Sequence, residues 1–455
     1  MSFKKDVPTG SRREIESEDL YLYSLRKMAE KNLDKNRIAL TNLLNLRAFL
    51  YKADDLIRYN DDKYAIIVMD IAGFKLVNEF CSRKAGDELL IYISDCFREY
   101  DSEKSVAAHF RADIFALCLP YESEDDLVAI VNDLSDRIKS FPISCKVMPA
   151  FGICIATDKN VSAAYITDYA FIAQKTIKGK YFTNYAFFDS TMRDQMLLEK
   201  KIENGFDEAL VTDQFQLYIQ PKVNMVTGRI IAGEALVRWM HPGEGLISPA
   251  AFVPVLEKNA SIIAMDKCIW RKTFQLISQL KAEHDIEIPI SINISRVHAY
   301  DESLVETLIN LSVGYQVSPE LIPLEITESA YSENEKEMYE KIRQLKAYGF
   351  KLSMDDFGSG YSTLNMLVDQ PVDEIKIDRA FLYNIEDPKY RTLISHTINM
   401  IHDLGLPIIA EGVETETQKE LLLEWGCQQA QGFLFYKPMP VENFKELLLK
   451  QKQEP

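Results

Sequence analysis

Two α/β domains, a layered sandwich followed by a (β/α)8 barrel, are what this sequence predicts. Three observations carry the prediction. The chain has 455 residues, more than one ordinary domain holds. Strand-like and helix-like segments alternate from about residue 38 to 190, the pattern of an α/β sandwich with a mixed or antiparallel sheet. From about residue 197 to 450, short apolar strands recur eight times, each ending on polar residues and followed by loop or helix-length sequence.

In chain order, residues 1–37 form an N-terminal helix and linker. Leu22, Leu25, Ala29 and Leu33 stand at helical spacing among charges, so an amphipathic helix is expected over about 14–35. In the 38–190 domain, Tyr64 to Asp70 reads as a buried strand ending in a carboxylate. Val106 to His109 and Ile114 to Leu119 read as a hairpin around Phe110 to Asp113, and Val147 to Ile155 as a further strand. Ser162 is placed to cap a helix from Ala163 to Lys175, with Ile166, Tyr169, Ala170 and Ala173 on one face.

In the 197–450 domain the expected barrel strands are Phe215–Gln220, Ile230–Glu234, Ile290–Asn293, Ile322–Glu325, Lys351–Asp355, Glu374–Lys376, Ile408–Glu411 and Cys427–Gln431. Active sites of such barrels lie at the C-terminal strand ends. Those ends carry Gln220, Glu234, Asn293, Glu325, Asp355, Lys376, Glu411 and Gln431.

Composition narrows the chemistry. Lys plus Arg number 52 and Asp plus Glu 69, a net charge of −17, which argues against a DNA or RNA partner. A small anionic substrate stays compatible if cations share its site. Apolar runs such as Tyr64 to Met69 fall far short of a bilayer span, and Met1 to Arg13 has no apolar core, so neither a membrane segment nor a signal peptide is expected. The cysteines Cys81, Cys96, Cys118, Cys145, Cys154, Cys268 and Cys427 contain no CxxC pair and read as reduced thiols of a cytoplasmic protein. Six histidines, none at metal-ligand spacing, argue against zinc. Glu234, Asn293, Glu325, Asp355, Asp356 and Glu411 are oxygen ligands suited to two Mg²⁺ or Mn²⁺ ions, and clustered carboxylates repel one another unless cations join them. Lys376 would hold a nucleophilic water, and Arg238, four residues beyond Glu234, would grip a phosphate. Gly358 and Gly360 allow a tight loop after Asp356. Each residue singly has a plainer role as a cap, a turn or a surface ion pair; the joint pattern carries the inference.

At these residues the chain resembles a family. Glu234-Ala-Leu-Val-Arg-Trp239 is similar to the signature of EAL domains, the cyclic di-GMP phosphodiesterases. Gln220-Pro221, Ser291 to Ser295, Leu324 to Glu328, Met354 to Ser362, Ile375 to Asp378, Glu411 to Glu414 and Gln431 to Leu434 match in order. The resemblance implies that Glu234, Asn293, Glu325, Asp355, Asp356 and Glu411 bind two metals, and that Lys376 contacts the catalytic water. It gives Gln220, Arg238 and Gln431 to the substrate, and Glu328 and Glu414 to anchoring the loop after the fifth strand. It implies hydrolysis of cyclic di-GMP to linear pGpG and a homodimer through this domain. A catalytically silent cyclic di-GMP receptor is the alternative.

The first domain resembles a GGDEF domain, the diguanylate cyclase fold, in degraded form. Leu40 to Arg47 is similar to the opening motif, with Asn42 and Leu44 where glycine and proline are usual. The signature hairpin falls at Arg111-Ala-Asp-Ile-Phe115, with both glycines replaced and Ile114 where the second acid belongs. Ser102 and Ser105 stand where the product-inhibition motif needs Arg and Asp. Cyclase activity is therefore not expected. Asp70, Asn78, Asp87 and Asp113 persist, so either a regulatory GTP site or a purely structural relic is implied. The expected fold is α/β throughout: a GGDEF-like α/β sandwich followed by a TIM-like (β/α)8 EAL barrel.

Overall fold

Every position of strand β1 (Tyr64–Ile71) is buried, which requires cover on both faces of its sheet. The computed structural model, which describes residues 33–180, 183–327, 335–358 and 372–453, supplies that cover. The chain divides into two compact units between Leu198 and Glu199. Most of the helix expected over 14–35 lies outside the described residues, as do Glu328 and Gly360; residues 33–36 form a short 3-10 turn.

In the first unit, β1, β2 (Val106–Arg111), β3 (Ile114–Pro120), β4 (Pro149–Ile155) and β5 (Tyr185–Phe187) form one mixed sheet ordered β2-β3-β1-β4-β5. Side-chain alternation along β1 splits the core in two. Ala65, Ile67, Met69 and Ile71 pack with Leu89, Ile93, Phe97, Leu127 and Val131. Tyr64, Ile66 and Val68 pack on the opposite face with Phe49, Ala53, Ile166 and Ala170.

Two local expectations change. The hairpin strands run further than the sequence indicates, leaving only Ala112 and Asp113 between β2 and β3, with Ala112 at φ +48°. Ser162 makes no side-chain cap; Asp54 accepts the Ala163 N–H at 2.7 Å instead, and the helix continues to Ile177.

In the second unit eight strands close a barrel. They are β6 (Phe215–Asn224), β7 (Ile230–His241), β9 (Ile290–Asn293), β10 (Leu324–Thr327), β11 (Leu352–Phe357), β12 (Glu374–Ile377), β13 (Ile408–Glu411) and β14 (Gln429–Gln431). β8 (Gly245–Ile247) extends β7, and β15 (Met439–Pro440) extends β6. The ring from β7 through β14 is parallel, but β6 runs antiparallel to both its neighbours. The first two strands are thus a hairpin rather than a strand–helix unit. This corrects the reading of Gln220 and Glu234 as strand ends. They lie mid-strand, directly opposite each other. Glu325, Asp355 and Lys376 also lie inside their strands; Asn293, Glu411 and Gln431 end theirs.

Candidate active site

Lys376 is the centre of the site. Its side chain is 1% exposed, and its Nζ lies 2.6 Å from Glu411 Oε1, 2.9 Å from Glu325 Oε2, 3.0 Å from Asp355 Oδ1 and 3.5 Å from Glu234 Oε2. Burial alone would strip a lysine of its proton. Here Asp355, Glu234, Glu325 and Glu411 outweigh that effect and hold Lys376 charged, well above its ordinary value.

Asp355 and Asp356 are adjacent, and adjacent residues of a regular strand face opposite ways. A register shift in β11 between Met354 and Phe357 removes the conflict. Asp356 takes φ +56°, a left-handed conformation that aspartate tolerates better than most residues. The Asp355, Asp356 and Glu411 carboxylates can consequently offer oxygens that all lie within 4.8 Å of one another. Gly358 follows at φ +91°, where a Cβ would stand 1.8 Å from the Phe381 ring.

On the other side of Lys376, Asn293 Nδ2 donates to Glu234 Oε1 at 3.0 Å. Gln431 Nε2 donates to Glu234 Oε2 at 2.5 Å and to Gln220 Oε1 at 3.0 Å. Gln220 Nε2 donates to the Tyr436 carbonyl at 3.1 Å. Gln431 Oε1 is buried without a hydrogen-bond partner among the described residues. Arg238 follows Glu234 by four residues on β7 and so shares its strand face. Its guanidinium lies 5.6 Å over the Tyr218 ring. A cavity of ≈ 420 Å³ adjoins the ring of carboxylates, lined by Arg238, Glu257, Trp270, Asn293, Ser295 and Arg296 among others.

The carboxylates divide electrostatically. Burial raises Glu411 to about 8, with repulsion from Asp355, Glu234 and Glu325 added and Lys376 opposing. Burial, then Asp355, then a hydrogen bond with Asp378 raise Asp356 to about 7. Burial also pushes Glu325 up, but Lys222 and Lys376 reverse this and hold it well below the usual range. Burial also raises Glu234, with Glu325 adding to it; an all-oxygen set in which three acids are pushed toward holding protons fits hard divalent ions, which would take the protons' place.

Sequence reasoning missed Lys222, whose Nζ lies 2.7 Å from Glu325 Oε1, and Asp378, which bonds Asp356. Ending the first barrel strand at Gln220 put Lys222 in a loop. In β6 it lies two residues on and therefore on the same face, a signal that was available. Trp270 was also missed: its indole N–H donates to the Asn293 carbonyl at 3.1 Å. Glu414 is exposed, and its backbone N–H donates to Gln418 at 2.7 Å.

The four residues singled out in the first unit fall into two pairs. Asp70 bonds Gln174 Nε2 at 2.6 Å and forms an ion pair with Lys178. Asp113 Oδ2 accepts the Ile71 N–H at 3.0 Å, which ties the hairpin tip to the end of β1 beside Asp70. Asn78 Oδ1 lies 2.0 Å from where a Cβ on Gly86 would sit, so Gly86 seats Asn78 next to the segment carrying exposed Asp87. The Ser102 and Ser105 hydroxyls bond each other at 2.6 Å.

The chain matches two family models: EAL domain over residues 203–438, and diguanylate cyclase GGDEF domain over residues 38–180. It is 30% identical over 423 residues to the Pseudomonas aeruginosa bifunctional diguanylate cyclase/cyclic di-GMP phosphodiesterase MucR, covering 92% of this chain and 62% of that one. It is 28% identical over 422 residues to the Escherichia coli cyclic di-GMP phosphodiesterase PdeR, covering 90% and 63%. The chain therefore spans less than two thirds of these relatives. Among solved structures, the MucR phosphodiesterase in complex with c-di-GMP matches with a TM-score of 0.51 and 35% identity, covering 54% of this chain and 99% of that one. No helix among the described residues is long and apolar enough to cross a membrane.

Proposed function

The chain belongs to the EAL-domain family, and on that premise we propose that residues 203–438 hydrolyse one phosphodiester of cyclic di-GMP to linear pGpG. One observation carries the reading: four carboxylates converge on a single buried lysine. Gathering that charge in a barrel mouth costs desolvation and repulsion that stability alone does not require.

Glu234, Asn293, Glu325, Asp355, Asp356 and Glu411 would hold two Mg²⁺ or Mn²⁺ ions. When bound, such ions activate water and neutralise charge on a phosphoester. The chain's own groups do the rest. Lys376, fixed by its four carboxylates, orients the attacking water and offsets charge that builds on phosphorus. Arg238 grips a phosphate oxygen, since its fork matches that geometry. Gln431 offers its free Oε1 to a water or to a ligand N–H, and Gln220 fixes its orientation. Glu328 and Glu414 anchor the loop after the fifth barrel strand. The same reading takes the protein to be cytoplasmic and to dimerise through this domain, which light scattering tests.

The first domain does no cyclase chemistry in this proposal, because Ile114 offers no carboxylate where the second acid of the signature belongs. It binds GTP weakly through Asp70, Asn78, Asp87 and Asp113 and adjusts the phosphodiesterase. Titration with millimolar GTP that leaves both heat signal and hydrolysis unchanged refutes this regulatory part.

The deciding experiment is chromatography of cyclic di-GMP incubated with the protein and Mg²⁺ or Mn²⁺. Conversion to one linear dinucleotide is expected, and Glu234→Ala or Asp355→Ala should abolish most of it. Intact substrate despite measurable binding would replace the enzyme with a receptor.

A further inference from the structure

Glu325 is held by two ammonium groups, one on each oxygen. Lys376 takes Oε2 at 2.9 Å and Lys222 takes Oε1 at 2.7 Å. The two lysines differ in what else they touch. Lys376 is shared among four carboxylates, whereas Lys222 has Glu325 as its only carboxylate within ion-pair distance among the described residues. Its remaining hydrogen bond goes to Ser291 Oγ at 3.0 Å, and Ser291 in turn donates to the Gly233 carbonyl at 3.2 Å. The Lys222 side chain is 2% exposed, so water offers it no alternative partner.

The reversed direction of β6 explains how it gets there. Gln220 stands opposite Glu234, and Lys222 stands opposite Ala232. Ala232 precedes Glu234 on β7, so Lys222 lies two residues further toward the barrel floor, about 7 Å deeper. It reaches Glu325 from the floor side and leaves the mouth to the other groups.

We propose that Lys222 is a specificity-determining residue that sets how strongly, and with which divalent cation, the site is loaded. Two consequences follow from its position. First, with every acid ionised as a bound cation requires, Glu234, Glu325, Asp355, Asp356 and Glu411 face two lysines, a formal balance of 2 − 5 = −3; without Lys222 it is 1 − 5 = −4. The lysine thus withholds one elementary charge from an incoming cation. Second, Oε1 is hydrogen-bonded to Lys222, so only Oε2, which Lys376 pairs without a hydrogen bond, is left for Glu325 to offer a cation. Ca²⁺ favours high coordination numbers reached with two-oxygen carboxylates, whereas Mg²⁺ takes six ligands and accepts carboxylates through a single oxygen. Lys222 therefore biases the site against Ca²⁺ and keeps its affinity for the smaller ions moderate, so that loading follows their concentration.

This inference rests on the ion-binding reading given above, and the experiment separates the two. Cation binding to the full chain is measured by calorimetry with Mn²⁺, Mg²⁺ and Ca²⁺ alone, without nucleotide, for the wild type, Lys222→Met, Lys222→Gln and Lys222→Arg. The Met and Gln variants should bind Mn²⁺ on the order of tenfold tighter or more, the scale of one charge acting at short range in a buried site. Their gain for Ca²⁺ should exceed their gain for Mg²⁺, and Lys222→Arg should behave as the wild type. Unchanged or weaker Mn²⁺ binding in a folded Met or Gln variant overturns the proposal while leaving the phosphodiesterase reading intact. A wild type that binds none of the three ions overturns the ion-binding reading itself. If neither neutral variant folds in ion-free buffer, recovery of a cooperative melt at lower Mn²⁺ than saturates the wild type supports the proposal, and no recovery at any Mn²⁺ concentration refutes it.

Discussion

Protons and divalent ions compete for the same oxygens in this site, so ion binding should release protons. Glu411 sits at about 8 and Asp356 at about 7, both raised first by burial. At pH 7 Glu411 and Asp356 together hold on the order of one proton, and burial raises Glu234 in the same direction, so loading releases about one proton or more per chain. At pH 8.5, above both of those values, the release from Glu411 and Asp356 is smaller. Mg²⁺ affinity therefore rises with pH between about 6 and 8.5. The stability of the ion-free protein moves the opposite way. The folded-state value of Glu411 lies above its ordinary 4.5, so its contribution is fully present below about pH 4.5 and is lost as pH rises through about 8. For this group, whose side chain is 18% exposed, the loss is on the order of 5 kcal/mol at most. Calorimetric Mg²⁺ titrations in two buffers of different ionisation enthalpy measure the release at pH 7 and 8.5, and ion-free melts across the same range measure the stability. Release near zero at pH 7, or equal release at both pH values, refutes the competition.

Ala112→Gly at the hairpin tip relieves a left-handed alanine at φ +48° and should stabilise the first unit by about 0.5–1 kcal/mol, read from urea unfolding. Gly358→Ala drives a Cβ to 1.8 Å from the Phe381 ring; a loss of about 2–4 kcal/mol in the barrel's unfolding transition is expected, with weaker Mg²⁺ binding because the Asp355–Asp356 bulge lies immediately upstream. Trp270→Phe deletes the donor to the Asn293 carbonyl at 3.1 Å and should cost about 1–2 kcal/mol of stability, read from melting, while Mg²⁺ affinity falls as Asn293 loses its fixed seat.

Local chemistry was legible in the sequence where one short segment decides it. β9 and β13 fall where their apolar runs and terminal polar residues put them. β1 reads as a strand from the unbroken apolar run Tyr64 to Met69, and all eight of its positions are buried. What the sequence hid depends on pairing between distant segments. β6 continues past Gln220 because β7 runs back along it, and the turn between them, with Asn224 accepting backbone N–H groups from Val226 and Thr227 and Gly228 at φ +71°, was the overlooked hairpin signal. The β11 bulge was illegible for the same reason. Nothing in Asp355-Asp356 states that the ladder to β12 slips there, yet that slip alone allows both acids to serve one site.

The reversed strand also bears on how this barrel differs from a fully parallel one. Parallel strands deliver polar side chains chiefly from their C-terminal ends, so the chemistry gathers at the mouth. A strand running the other way can place successive inward residues at two depths with one segment. In β6, Gln220 joins Glu234 and Gln431 in one hydrogen-bonded group, while Lys222 meets Glu325 nearer the floor. The acids of the site are thus countered from within by a lysine that the mouth does not expose. If that lysine were only structural, an apolar residue of similar volume would serve as well, since replacing buried charge by packed hydrophobes is often neutral or stabilising. Its place beside a carboxylate that already has Lys376 makes sense when the charge itself is what the site uses, and the Lys222→Met titrations decide between these two accounts.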